Sequence, residues 1–321
     1  MKNLIAVGTL AVLAAFSLAA QPQQQRGQQQ GGPPPQGVGA ASADPAAGFG
    51  PAELTTFKVR DNFYMIRNNR SGNCSVLIAD DGVVLIDNKF EMDHDAIMTK
   101  LREFTDKPLL YVINTHMHGD HSGGNAKNQD LGAKVIAHEN ARFQMSMTQT
   151  KGLPTITLED HMRLYHGEFI LDIYWLGRGH TDGDIVVHLP KQNMIFMGDL
   201  FATWDPYVTL IDYPGGGSLR EWTRTLDRAL ALPFTTVIPG HGGATDRAHL
   251  ETYKAQLTRM QDMVREMNRS ANCGRRGLAP ADAAACTTKS REGIQKMLET
   301  EFGWSGFVTT LGLDGVIREM Q

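Results

Sequence analysis

The chain has 321 residues, 41% of them hydrophobic, with a formal net charge of -4 and a sequence pI near 6.3. That content sustains a sizeable core, and after a disordered start the length suits one large domain of roughly 250 residues. The acidic balance supplies no basic surface for a phosphate backbone, so nucleic acid is excluded as an expected partner.

The opening residues 1–20, "MKNLIAVGTLAVLAAFSLAA", join a positive Lys2 to an apolar stretch from Leu4 to Phe16, with small Ser17 and Ala19 before a cut. They read as a signal peptide, which places the mature chain in the periplasm or outside the cell. An uncleaved anchor fits less well, because the stretch is shorter than the roughly 20 apolar residues of a membrane span. No membrane span is expected after signal removal. Residues 21–50 are rich in Gln, Gly, Pro and Ala and read as a disordered linker, since so few large apolar side chains cannot offset ordering entropy.

Residues 51–321 form the expected globular domain. Short β-type runs, "FKV", "FYMIR", "CSVLIA" and "GVVLID", are separated by turn clusters and predict an antiparallel meander. Next come a helix over 94–104, the strand "LLYVINT", a helix over 125–131, the strand "AKVIAH" and a helix from Glu139. The later strands are "FILDIYWL", "DIVVHL", "NMIFMG" and "TTVIP", with helices over 218–232 and 248–267. From about residue 268 the chain reads as a helical extension of two stretches. Strands mixed with helices throughout imply an α/β fold whose sheets lie between helical layers. Cys273 and Cys286 are placed either to close a disulfide or to remain two free thiols, while Cys74 reads as a small core residue.

Four apolar runs end on a polar candidate. "LLYVINT" leads to His116, "FILDIYWLGRG" to His180, "NMIFMG" to Asp199 and "TTVIPG" to His241. Ligands on α/β sheets gather beyond the carboxyl ends of strands, so these termini are expected to converge. A Gly precedes a candidate each time, at Gly119, Gly179, Gly198 and Gly240, where close backbone approach is needed. Within "HMHGDH", residues two apart face the same way, so His116 and His118 share one metal position while Asp120 and His121 face a neighbouring one. Imidazoles with carboxylates suit zinc, and three protein ligands per ion leave room for a catalytic water. His94, His138, His161, His166, His188 and His249 show no such placement and read as ordinary surface or core residues.

"HMHGDH", "GHTDGD", "MGDLF" and "PGHG" together resemble, in order, the ligand motifs of the metallo-β-lactamase superfamily, over about residues 57–267. The resemblance implies an αββα sandwich, two mixed β-sheets flanked by helices, with a site for two zinc ions at one edge. It implies that His116, His118 and His180 hold the first zinc, that Asp120, His121 and His241 hold the second, and that Asp199 bridges both. Asp87, closing "VVLID", stands where the superfamily often keeps a carboxylate behind a ligand; a turn-forming Asp after a strand is the other reading. Asp120 is the expected catalytic residue, orienting a metal-bound hydroxide.

The expected substrate is a small ester, thioester or amide, with β-lactam included. Lactamases of this kind usually carry Cys or Ser where Asp199 stands, and one subclass has Lys where this chain has Ala202. A bridging Asp is similar to glyoxalase II and the lactonases, but the lactonase Tyr is replaced by the same Ala202. Superfamily oxidases carry Glu in place of His118, which argues for hydrolysis. A non-hydrolytic periplasmic metalloprotein, either an oxidoreductase or a metal-binding accessory protein, is the alternative. Trp204, Tyr207 and Tyr213, in the aromatic stretch behind Asp199, are candidate pocket contacts, with ordinary packing the competing reading.

Overall fold

The computed structural model describes residues 53–321 except 69, 204–209, 272 and 274–277. The signal peptide, the linker and the candidates Trp204 and Tyr207 lie outside the described residues. The chain divides into two units, 1–45 and 46–321, and all described residues belong to the second.

The first four strands are β1 Thr55–Arg60, β2 Phe63–Arg67, β3 Cys74–Ile78 and β4 Val83–Ile86. They pair antiparallel in sequence order, as the short runs and turn clusters predict. After α1 His94–Arg102 comes β5 Leu109–Ile113, then α2 Gly119–Ser122, α3 Asn125–Asp130, β6 Lys134–His138, α4 Glu139–Ser146 and β7 Ile156–Leu158. β4 to β7 pair parallel, completing a seven-stranded mixed sheet in sequence order. β4 is apolar and buried at every position, as a strand covered on both faces must be.

The second sheet holds β8 His161–His166, β9 Phe169–Trp175, β10 Ile185–Leu189, β11 Met194–Phe196, β12 Thr236–Ile238 and β13 Thr245–Asp246. Its spatial order is β13-β12-β11-β10-β9-β8, antiparallel except for β11 against β12. Four helices complete the chain: α5 Leu219–Leu230 between β11 and β12, then α6 Arg247–Ala271, α7 Pro280–Phe302 and α8 Gly306–Glu319. β7, β8 and β13 are additions to the expected strands.

Three apolar clusters define the layers. Met65, Leu77, Val84, Ile113 and Ile136 of the first sheet meet Leu171, Ile173, Val187 and Phe196 of the second. Ile97 and Leu101 of α1 cover the outer face of the first sheet through Val76, Leu85 and Val112. Trp222, Leu226, Leu257, Val264, Leu298 and Val316 bring α5 to α8 onto the outer face of the second sheet at Val186 and Ile195. Each fully buried aliphatic side chain contributes about 1.5–3 kcal/mol, so the helical extension is part of the core. The result is the expected αββα sandwich.

A disulfide joins Cys273, just after α6, to Cys286 in α7, with Cα atoms 5.5 Å apart, and Cys74 is a buried free thiol. No helix among the described residues is long and apolar enough to cross a membrane.

Candidate metal centre

The strand ends do converge. His116 follows β5 by three residues, and His118 holds extended backbone (φ -64°, ψ 145°) before the single turn of α2, which carries Asp120 and His121. Asp199 lies in a one-turn 3-10 helix, Gly198–Leu200, directly after β11. His241 follows β12 and bridges to Ala202. Gly240 is required here, since a Cβ would lie 2.1 Å from Asp199 Oδ1. Gly198 takes φ +50° with Thr115 Oγ1 2.4 Å from any Cβ, a second position that only glycine fills without strain. Gly119 departs from the pattern, for an added Cβ would make only ordinary contact with Phe90 at 3.8 Å.

Three overlapping groups able to hold a metal ion result: His116, His118 and His180; Asp120, His121 and His241; and His116, His121 and Asp199. In the first group His118 Nδ1 lies 3.1 Å from His116 Nε2 and 2.9 Å from His180 Nε2. In the second, His121 Nε2 and His241 Nε2 are 3.3 Å apart, and Asp120 Oδ2 lies 3.5 Å and 3.3 Å from them. Asp199 spans the two: its Oδ1 is 3.3 Å from His121 Nε2, and its Oδ2 is 3.4 Å from His241 Nε2 and 3.6 Å from His180 Nε2.

The far side of each ring decides what the near side offers. His180 Nδ1 donates to the Leu210 carbonyl (2.6 Å), and His118 Nε2 donates to Asp212 Oδ2 (2.8 Å). His121 Nδ1 donates to Asp87 Oδ2 (2.8 Å). Thr115 Oγ1 donates to the other side of the same carboxylate oxygen and accepts from His116 Nδ1 at 3.2 Å. With those protons assigned by the outer bonds, His116 Nε2, His118 Nδ1, His121 Nε2 and His180 Nε2 all turn lone pairs inward. Lone pairs facing each other at 2.9–3.1 Å repel unless a cation lies among them, so the donor set fits a metal.

The charges divide the cluster into two halves. Burial, reinforced by His118, pulls His180 down to about 4, and burial followed by His121 holds His116 well below the usual imidazole range. Burial opposes charge at His241 and His121 too, but Asp199 and Asp120 outweigh it, lifting His241 to about 9 and His121 well above its ordinary value. Burial pushes Asp199 and Asp120 up, and the facing histidines more than reverse it, leaving both well below the carboxylate range. The Asp120 side of the cluster therefore draws positive charge, and a metal ion competes there with protons.

Asp87 lies directly behind His121 of the cluster as well as at the turn after β4. It takes φ +59°, accepts from Thr115 N at 2.7 Å and from Thr115 Oγ1, and aims His121. Asp87→Ala is expected to weaken metal binding about 10- to 100-fold, read by competition with a chromophoric chelator; unchanged affinity contradicts the role. Tyr213, the described one of the three aromatic candidates, is held from the other side. Its ring lies against Gly315 and its hydroxyl donates to Glu319 Oε2 (2.8 Å), so its polar end is engaged with α8.

The residues behind the cluster were not apparent in sequence. Asp212 sits in "LIDYPGGGS" and reaches His118 across 94 positions, which no local spacing signals. Lys89 is fully buried and donates to the Gly72 carbonyl and to Ser71, and Gly72 N in turn donates to Asp120 Oδ2 at 3.2 Å. The other histidines have ordinary duties. His94 pairs with Asp95 and Asn128, His138 caps α4, His161 and His249 pair with Asp172 and Asp246, and His166 and His188 bond the Gly82 and Pro233 carbonyls.

An αββα sandwich with a histidine and aspartate cluster at one edge defines a metallo-hydrolase class, and the chain belongs to the metallo-beta-lactamase superfamily. That family's sequence profile matches residues 67–241, from β2 through the last clustered histidine. The chain is 27% identical over 185 residues to metallo-beta-lactamase IND-1 of Chryseobacterium indologenes, covering 56% of this chain and 76% of that protein. It is 28% identical over 195 residues to the type 2 metallo-beta-lactamase of Bacillus cereus, covering 56% and 70%. Among solved structures, a metallo-beta-lactamase from Pontibacter korlensis superposes with a TM-score of 0.59 at 22% identity, covering 64% of this chain and 99% of that one. DIM-1 metallo-beta-lactamase superposes with a TM-score of 0.57 at 24% identity, covering 65% and 98%.

Proposed function

We propose that the chain is an exported zinc hydrolase, with residues that would hold two metal ions, that opens a small ester, thioester or amide, β-lactam included. The observation that carries this is the set of inward lone pairs from four histidines, with Asp120 and Asp199 closing two adjacent donor groups. His116, His118 and His180 would hold one zinc, Asp120, His121 and His241 the other, and Asp199 both. A bound zinc pair supplies a water ionised near neutral pH and polarises the scissile carbonyl. Asp120 then orients that nucleophile and takes its proton, while Asp87 and Asp212 keep His121 and His118 aimed.

Two further observations support the reading. The Cys273–Cys286 disulfide suits an oxidising compartment, in line with the signal-like residues 1–20. The names of the relatives favour lactams among the candidate substrates, whereas Asp199 favours esters and thioesters and Ala202 departs from the lactamase and lactonase patterns alike.

Metal analysis of the purified mature chain, with a panel of generic esters, thioesters and a chromogenic cephalosporin, tests the proposal. About two zinc per chain are expected, with turnover that a chelator abolishes and added zinc restores. Redox-active iron without turnover of any of these substrates overturns it.

A further inference from the structure

We propose that Glu319, at the carboxyl end of α8, is a positioning residue of the metal centre. Its carboxylate latches the segment 212–220, so that Asp212 holds His118 with Nδ1 facing the first donor group. The inference rests on the metal centre proposed above, and α8 lies beyond the residues matched by the family profile.

The segment is folded tightly against the backbone of the first donor group. Asp212 N donates to the His180 carbonyl (2.9 Å), Ser218 N to the Gly179 carbonyl (2.9 Å), and Asp182 N to the Gly215 carbonyl (3.0 Å). Gly217 N donates to the Asp212 carbonyl at 2.7 Å, and Gly215 N to Asp212 Oδ1 at 3.0 Å. That leaves Asp212 Oδ2 for His118 Nε2, at 2.8 Å.

Glu319 closes the segment from outside. Its Oε2 accepts from Tyr213 OH at 2.8 Å and from Arg220 N at 3.2 Å, and its Oε1 accepts from Ser218 Oγ. Tyr213 is the immediate neighbour of Asp212, and Ser218 is the N-cap of α5, accepting from Glu221 N at 3.1 Å. One carboxylate therefore joins the residue beside Asp212 to the start of a core helix. Burial, and then the charge of Glu319, raise Tyr213 above the usual phenol value, so its hydroxyl stays a donor. α8 is a firm base for the latch: Leu313, Val316 and Met320 sit in the core beside Trp222, and Asn268 Nδ2 donates to the Ile317 carbonyl at 3.1 Å.

His118 is the ligand that needs such support. His116 and His180 are 0% and 2% exposed and confined by packing, whereas the His118 side chain is 25% exposed. Its orientation depends on Asp212, and the place of Asp212 depends on the segment that Glu319 closes.

The test compares full-length parent, Glu319→Ala, Glu319→Gln and Tyr213→Phe, each loaded with cobalt as a spectroscopic probe. Metal dissociation constants, the visible ligand-field bands and melting temperature are recorded. Glu319→Ala is expected to raise the dissociation constant of one of the two metal equivalents about tenfold and to shift the bands. Glu319→Gln, which keeps one acceptor oxygen, falls between it and the parent. Tyr213→Phe removes one donor, keeps its ring against Gly315, and moves metal binding in the same direction by less; it carries the test if Glu319→Ala does not fold. Unchanged dissociation constants and bands in the variants overturn the latch, whatever happens to melting. A parent that binds two metals but hydrolyses nothing sinks the hydrolase reading and leaves the latch standing. A parent that binds no metal sinks both.

Discussion

Asp199→Ala is expected to lower kcat/KM by about 1,000-fold or more, the scale set by removal of a principal electrostatic group from a preorganised site, and to reduce bound zinc below two per chain. The reason is that, among the described residues, Asp199 is the one carboxylate in contact with both sides of the cluster. Its Oδ1 meets His121, and its Oδ2 meets His241 and His180, all at 3.3–3.6 Å. Its side chain is only 9% exposed, so water cannot easily replace it. Without it, the two donor groups lose both a shared ligand and a negative charge that offsets the repulsion between adjacent cations. Asp199→Asn separates these effects, because it keeps the shape and one acceptor oxygen but removes the charge. Zinc stoichiometry measured beside kcat/KM checks the prediction, and an Asp199→Ala protein that still holds two zinc per chain contradicts the shared-ligand role.

The parts of the molecule that could be read in sequence are those where chemistry is local. β1 to β4 follow from short apolar runs between turn clusters, and β4 from its continuous Val-Val-Leu-Ile. β8, "HMRLYH", was harder to see. Its residues alternate exposed and half-buried as far as buried His166, but at this sheet edge only Met162 and Leu164 mark the inner face, so the apolar pattern is short. β13 has only two residues. At the site, His116, His118, Asp120 and His121 stand in one short stretch, where backbone geometry alone brings them together. His180, Asp199 and His241 could be proposed because each terminates an apolar strand. Asp212 and Glu319 could not, since both act through hydrogen bonds to residues about a hundred positions away. The pairing of Cys273 with Cys286 was open for a related reason: spacing permits a bond, but only the approach of α7 to the end of α6 makes it.

Asp120→Ala is expected to lower kcat by about 100- to 10,000-fold, the range of a lost general base, while the chain keeps at least one bound zinc and its fold. Asp120 differs from Asp199 in position as well as in partners. Its side chain is 21% exposed against 9%, so it is the more accessible of the two carboxylates. Its contacts with His121, His241 and Gly72 N all use Oδ2, which leaves Oδ1 for the proton of the attacking water. Losing the side chain removes the hydrogen bond from Gly72 N and the contacts with His121 and His241 but no packed apolar surface, so the fold is kept while the second donor group is weakened. First-group zinc should persist, because His116, His118 and His180 do not touch Asp120. Asp120→Asn sharpens the experiment: its amide can still accept from Gly72 N but cannot take a proton at neutral pH. If Asp120 only held metal, Asn would recover much of the rate once zinc is saturating. If it manages the proton, Asn remains as slow as Ala at full zinc occupancy, and that is the expected result.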